Sequence, residues 1–245
     1  MIRFVFIIIF VVLYLIVLIP VSLILWIVGL MSPHAKDVAS LGIIKFGFKT
    51  VLFFAGTRLK VIGEEKIPRD CGVLYIGNHR SYFDVISTYS RAFRPTGFVA
   101  KVEFRKVPLF SLWMRNIRCQ FLDRSNMRQG LQMILNCIEE VKNGTSIFIF
   151  PEGTRNKGEE GTLLPFHEGS FKIADKSGCP LIPVAISNSY SIMEKQFPRI
   201  CRATMVIEYC DPVDVKAMSR EDRKGLSKLV GNIIVEKLKE HKGMY

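Results

Sequence analysis

Gly72-Val73-Leu74-Tyr75-Ile76-Gly77-Asn78-His79-Arg80-Ser81-Tyr82-Phe83-Asp84 sets both the fold and the search for a site. Gly72 to Ile76 is a short apolar run with β-favouring residues, which predicts a buried strand. His79 stands at the mouth of that strand, and Asp84 follows five residues later. Five steps along an ideal helix rotate by about 500°, leaving the two side chains about 140° apart. They therefore cannot share a face of one continuous helix. His79 is expected in the turn, with Asp84 in or near the first turn of a helix behind it. From there the aspartate can accept an imidazole N–H, fix the tautomer and leave the other ring nitrogen as a base. A cap with a buried, satisfied histidine fits the same residues equally well.

A second strand followed by a loop comes later in the chain. Ser146 to Phe150 reads as a buried strand, and Pro151-Glu152-Gly153-Thr154-Arg155 follows it. The Pro and Gly bring backbone close to a neighbour, and Arg155 offers a planar fork suited to phosphate. An ordinary surface turn with a solvated arginine is the alternative. Lys101, Arg105 and Lys106 lie within six residues after another strand candidate, a pattern shared by anion sites and by plain solvated faces.

Further strands are expected at Phe98–Ala100, Cys119–Leu122, Leu181–Ile186 and Thr204–Tyr209. Arg128–Lys142 has Leu131, Ile134, Leu135, Ile138 and Val141 at helical spacing, with Asn126 or Ser125 as cap and Gly144 beyond its end. Ser219–Glu240 shows the same periodicity. Alternating strands and helices predict an α/β domain, a mixed central sheet covered by helices. Ligands gather at the carboxyl ends of strands in such folds. Both His79 and the 152–155 turn lie just past such ends.

The N-terminus is of another kind. Phe4 to Met31 is a 28-residue run without a charge, against about 20 residues needed to cross a bilayer core. It is too long for a cleaved signal peptide, and no A-x-A-like site follows. Pro20 can bend it. Val38 to Ala55 is also apolar but carries Lys45 and Lys49 on one helical face. That pattern predicts a helix lying in the interface with its lysines snorkelling. Residues 1–57 are thus expected to be a hydrophobic helical membrane anchor, and residues 58–245 an α/β domain. Only Arg3 precedes the first run, whereas Lys36, Lys45, Lys49, Arg58 and Lys60 follow it, so if the run spans the bilayer rather than entering one leaflet, the positive-inside rule places the domain on the cytoplasmic side.

The net charge is +12, nearly all of it beyond the first run. A basic domain at a bilayer attracts anionic lipid and phosphate-bearing ligands. No helix-turn-helix, zinc or RNP-type pattern supports a nucleic-acid partner. The six cysteines show no C-x-x-C spacing, and most lie in apolar runs, so free, buried thiols are expected. No G-x-S-x-G elbow is present, and Ser81 sits awkwardly close to His79 for a nucleophile–base pair. His34, His167 and His241 lack metal-ligand spacing.

Taken together, these blocks resemble the glycerolipid acyltransferase family, most closely the branch acting on 1-acylglycerol 3-phosphate. Asn78 to Asp84 is similar to that family's N-H-x-x-x-x-D motif, and Phe150 to Arg155 to its F-P-E-G-T-R motif. Lys101 to Pro108 with Phe121-Leu122-Asp123-Arg124 resembles its acceptor-binding block, and Leu181 to Ala185 its final apolar block. The resemblance spans roughly Val73 to Ala185, in the family's order. It implies transfer of an acyl chain from a thioester to the free sn-2 hydroxyl of lysophosphatidic acid, with His79 as base and Asp84 as its orienter. It implies Lys101 and Arg155 on the acceptor phosphate, with Arg105 and Arg124 as weaker ligands. Glu152 would position the acceptor hydroxyl or Arg155, and Gly153 and Thr154 would complete the binding turn. Amides near Gly153 would be oxyanion donors. No cofactor is implied beyond the acyl donor, coenzyme A-bound or carried by acyl carrier protein. Glycerol 3-phosphate or another lysophospholipid remains an alternative acceptor. A non-catalytic lipid- or phosphate-binding membrane protein is the alternative of another class.

Overall fold

The computed structural model describes residues 1–123 and 125–245. Two long helices, α1 (Ile2–Met31) and α2 (Pro33–Ala55), precede β1 (Arg58–Ile62). The rest of the order is β2 (Leu74–Gly77), α3 (Tyr82–Arg91), β3 (Thr96–Lys101), α4 (Pro108–Asn116), β4 (Gln120–Leu122), α5 (Met127–Lys142), β5 (Ser146–Ile149), α6 (Lys172–Ser177), β6 (Leu181–Ser187), β7 (Thr204–Tyr209), α7 (Arg220–Lys224) and α8 (Leu226–Glu240). The seven strands form one sheet in the order β1-β7-β6-β2-β5-β3-β4. Every pair is parallel except β6–β7. The sheet is therefore mixed and helix-covered, as expected.

β2, β5 and β6 are buried on both faces, which is why they read as unbroken apolar runs rather than alternating ones. Leu74 and Ile76 face a core shared with α5, α6 and α8. Tyr75 and Phe148 face the other side, against α2, α3 and α4, where their rings stack at 5.5 Å. α5 begins one residue before the predicted start, with Asn126 Oδ1 accepting the Gln129 amide at 3.1 Å. The single helix expected at 219–240 is two, broken at Gly225, the residue that loses most entropy in a helix interior. β1 and α4 were not foreseen. β1 is a short edge strand with charges, and α4 is only nine residues opening on a proline.

α1 and α2 are both long and apolar enough to cross a membrane. α1 is continuous through Pro20 and would reach about 45 Å at 1.5 Å per residue. Ile9, Val12, Ile16, Leu23 and Trp26 are left uncovered by the rest of the protein along it. α2 differs from expectation. Leu41, Ile44, Val51 and Leu52 are buried in the same core as Phe83 and Tyr89 of α3, and Phe48 meets Tyr89 edge-on at 5.7 Å. Lys45 does not snorkel: its ammonium donates to the Ala92 carbonyl at the end of α3. Asp37 takes a bidentate contact from Arg118, 2.8 Å at the nearer pair. A helix end with unpaired carbonyls is a better partner for a half-buried ammonium than a distant headgroup layer. α2 ends at Ala55, but the packing runs on from α2 into the sheet.

The C-terminus is fastened by a buried network. Ser187 Oγ lies 2.8 Å from His241 Nδ1, and Nε2 lies 2.9 Å from Glu208 Oε2, tying the end of α8 to β6 and β7. Four of the six free cysteines are buried. Burial pushes Cys119, Cys137 and Cys210 up to about 12, so these thiols are inert at neutral pH.

Candidate active site

β2 and β5 are neighbours in parallel register, so the two loops singled out by sequence leave the same end of the sheet side by side. Past Gly77 the backbone turns, but Asn78 prolongs the ladder with its side chain. Its Nδ2 donates to the Ile186 carbonyl and its Oδ1 accepts the Ile186 amide, both at 2.8 Å. That double bond to β6 fixes where His79 emerges.

Ser81 then caps α3, its Oγ accepting the Phe83 amide at 3.0 Å, while Asp84 reaches back to complete a capping box. One oxygen does most of this. Asp84 Oδ2 accepts from the Arg80 amide at 2.7 Å, the Ser81 amide at 2.8 Å and His79 Nδ1 at 2.8 Å. The two readings left open by the sequence are therefore one arrangement: the aspartate caps the helix and orients the histidine with the same atom. An acceptor facing Nδ1 assigns the ring proton there and leaves the Nε2 lone pair open, with no protein partner among the described residues. Asp84 is fully buried, and its Oδ1 has no hydrogen-bond partner among them.

His79 is held from three other directions. Its ring lies flat on Phe150 at 4.2 Å. Its amide donates to Glu152 Oε1 at 2.7 Å, and its carbonyl accepts from the Asn156 amide at 2.7 Å. The second oxygen of Glu152 accepts the Leu164 amide at 2.8 Å. Both carboxylate oxygens of Glu152 thus hold backbone amides.

Burial raises the Glu152 pKa above the ordinary carboxyl value. The folded chain then binds a proton more tightly than the unfolded one. Its contribution to stability is full below about pH 4.5, the ordinary glutamate range, and is lost as pH rises through the higher folded value. Glu152→Gln should flatten this pH slope in urea melts at pH 4 to 7. It should also lose about 1–3 kcal/mol, because an amide leaves one of the two backbone donors unmatched.

The turn itself closes through the Gly153 amide, which donates to the Phe150 carbonyl at 3.0 Å, with Gly153 at φ 69°. That conformation favours glycine. That bond occupies the Gly153 amide itself. Thr154 is exposed beside it. Arg155 lies over the Tyr82 ring at 3.9 Å, with Nη2 3.3 Å from the Tyr82 hydroxyl and Nη1 3.3 Å from Glu194. Ser81 Oγ donates to Glu194 at 2.6 Å and not to His79, in keeping with its exclusion as nucleophile.

Lys101 ends β3, two strands and about 10 Å across from β2, on the same sheet end and exposed. Arg105 is exposed in the following 3-10 turn, its guanidinium 6.0 Å over Phe121. Arg124 lies outside the described residues. Two residues escaped the sequence reading. Arg80 is buried, bonding to the Gly158 and Glu159 carbonyls at 2.9 Å each, meeting Glu160 at 3.2 Å and lying over Tyr190 at 5.1 Å. It ties the 156–162 loop beneath His79. Glu194 comes from the loop after β6, more than a hundred residues from Ser81. Nothing local marks either one.

Similarity to known proteins points to one family. The Acyltransferase family model matches residues 58–187. A 1-acyl-sn-glycerol-3-phosphate acyltransferase of Saccharomyces cerevisiae is 30% identical over 76% of this chain and 61% of its own. One from Borreliella burgdorferi is 30% identical over 78% of this chain and 75% of its own. The crystal structure of the 1-acyl-sn-glycerophosphate (LPA) acyltransferase PlsC from Thermotoga maritima superposes with a TM-score of 0.76 at 26% identity, covering 95% of both chains. With a histidine–aspartate pair at the strand ends, a matching sheet and relatives of this similarity, the chain belongs to the acyltransferase family.

Proposed function

We propose that this chain acylates the free sn-2 hydroxyl of lysophosphatidic acid from an acyl thioester, forming phosphatidic acid, with His79 as general base. The observation that carries the reading is the Nδ1–Asp84 contact at 2.8 Å, which leaves Nε2 as the open nitrogen of a ring at the strand ends. Nε2 takes the hydroxyl proton as the oxygen attacks the thioester carbonyl. The C–S bond then breaks, and the imidazolium returns its proton to the departing thiolate. Asp84 steadies the imidazolium. No covalent acyl-enzyme and no cofactor enter the scheme.

Arg155 and Lys101 bind the acceptor phosphate, with Arg105 at the edge of the same face. α1 and α2 hold the domain at the bilayer, on its cytoplasmic side, where a water-borne donor meets a membrane-borne acceptor. The test is phosphatidate formation by detergent-solubilised protein from lysophosphatidate, with acyl-coenzyme A and acyl carrier protein donors run in parallel. Turnover with one donor supports the reading and identifies that donor. Turnover with glycerol 3-phosphate or another lysophospholipid instead moves the acceptor. No product with any of these leaves only a binding role.

A further inference from the structure

Arg155 is not a loose surface cation. Its Nη1 meets Glu194 and its Nη2 meets the Tyr82 hydroxyl, both at 3.3 Å, while the guanidinium lies on the Tyr82 ring. Of the five N–H donors of an arginine, two are engaged among the described residues, and the rest can serve a ligand. Glu194 is itself firmly placed. Its carboxylate accepts the Ser81 hydroxyl at 2.6 Å and the Tyr82 amide at 2.9 Å. The loop that carries it is built to be rigid: Ile192 is fully buried, and Gln196 Nε2 bonds to the Ser191 and Ile192 carbonyls at 2.7 and 2.8 Å.

Capping α3 does not require this carboxylate. Ser81 and Asp84 already complete the capping box. What Glu194 adds is a bridge: one carboxylate joins the start of α3, just after His79, to the arginine of a loop from another strand. An arginine confined in this way loses less side-chain entropy when a phosphate binds.

We propose that Glu194 is a positioning residue which, with Tyr82, presents the Arg155 fork to the acceptor phosphate. The inference rests on the reading of Arg155 as a phosphate ligand. Glu194 lies beyond all four sequence blocks, and its link to Ser81, Tyr82 and Arg155 is made only by the tertiary structure.

The test measures lysophosphatidate binding to the detergent-solubilised full chain without donor. Acceptor and donor KM are measured alongside, using the thioester that supports turnover. Glu194→Ala is expected to weaken acceptor binding and raise acceptor KM about three- to tenfold, with donor KM within about twofold. Glu194→Gln, which keeps an oxygen for the Tyr82 amide but loses the charge, should fall between parent and alanine. Tyr82→Ala, which keeps that amide and removes the ring, should act in the same direction and covers the case in which Glu194→Ala fails to fold. Arg155→Ala should cost more, about tenfold or above, and the Glu194→Ala/Arg155→Ala pair should be no worse than Arg155→Ala. If Arg155→Ala weakens acceptor binding while the Glu194 and Tyr82 variants bind like the parent, the positioning role is wrong and the arginine's role stands. If Arg155→Ala binds lysophosphatidate like the parent, the reading of Arg155 falls first. A uniform loss of kcat with parental acceptor binding would reduce Glu194 to a structural cap.

Discussion

His79→Ala is expected to lower the rate of acyl transfer by about 10²–10⁴, the range for a positioned general base, while the protein stays folded. The imidazole contributes one hydrogen bond to Asp84 and a stack on Phe150, so its removal should cost only about 1–2 kcal/mol. Everything else that shapes the turn remains, because Asp84 keeps the Arg80 and Ser81 amides and Glu152 holds the residue-79 amide rather than its ring. Phosphatidate formation by parent and variant, with their melting curves, checks both halves. Equal turnover by the variant would sink the assigned base. A collapsed melting curve would mean that the loss of rate says nothing about chemistry, and His79→Gln would then be needed.

Asp84→Asn should lose both rate and stability, and that combination is its signature. Three donors converge on one oxygen of a fully buried side chain. An amide oriented to accept from the backbone leaves its NH₂ facing inward. If it turns, it sets a donor against donors. Either way Nδ1 loses its negative partner, and the tautomer with Nδ1 as acceptor becomes competitive. Removing the equivalent orienting charge in hydrolases costs about 10⁴, so a loss of about 10²–10⁴ in kcat is expected here. The stability loss should be about 2–3 kcal/mol, from mismatched buried donors, read as a lower urea midpoint. A variant that kept its midpoint but lost turnover would show that orientation of His79 is separable from capping. One that kept its turnover would remove Asp84 from the mechanism.

Much of this was legible in the chain. The buried strands were, because β2, β5 and β6 are covered on both faces and so appear as short apolar runs. α5 was, because one wet face imposes helical periodicity and Asn126 marks its start. Edge elements were harder. β1 alternates only partially at a solvent-exposed edge, and α4 is too short to show a period. Lysine on an apolar helix also has two solutions, a headgroup layer or a carbonyl. Lys45 takes the second only because the end of α3 arrives beside it.

The sequence by itself determined the histidine–aspartate pair and its local geometry. His79 and Asp84 are five residues apart, and backbone turn and helix cap suffice to join them. It also determined that a long apolar segment precedes a basic α/β domain. Only the tertiary structure decided what surrounds the pair. Glu152 holds the His79 amide across 73 residues of chain, Asn78 reaches Ile186 across 108, and Glu194 meets Ser81 across 113. Such partners leave no mark on local periodicity. Which polar side chain meets which is settled when the strands take their places in the sheet and bring distant loops to one end of it.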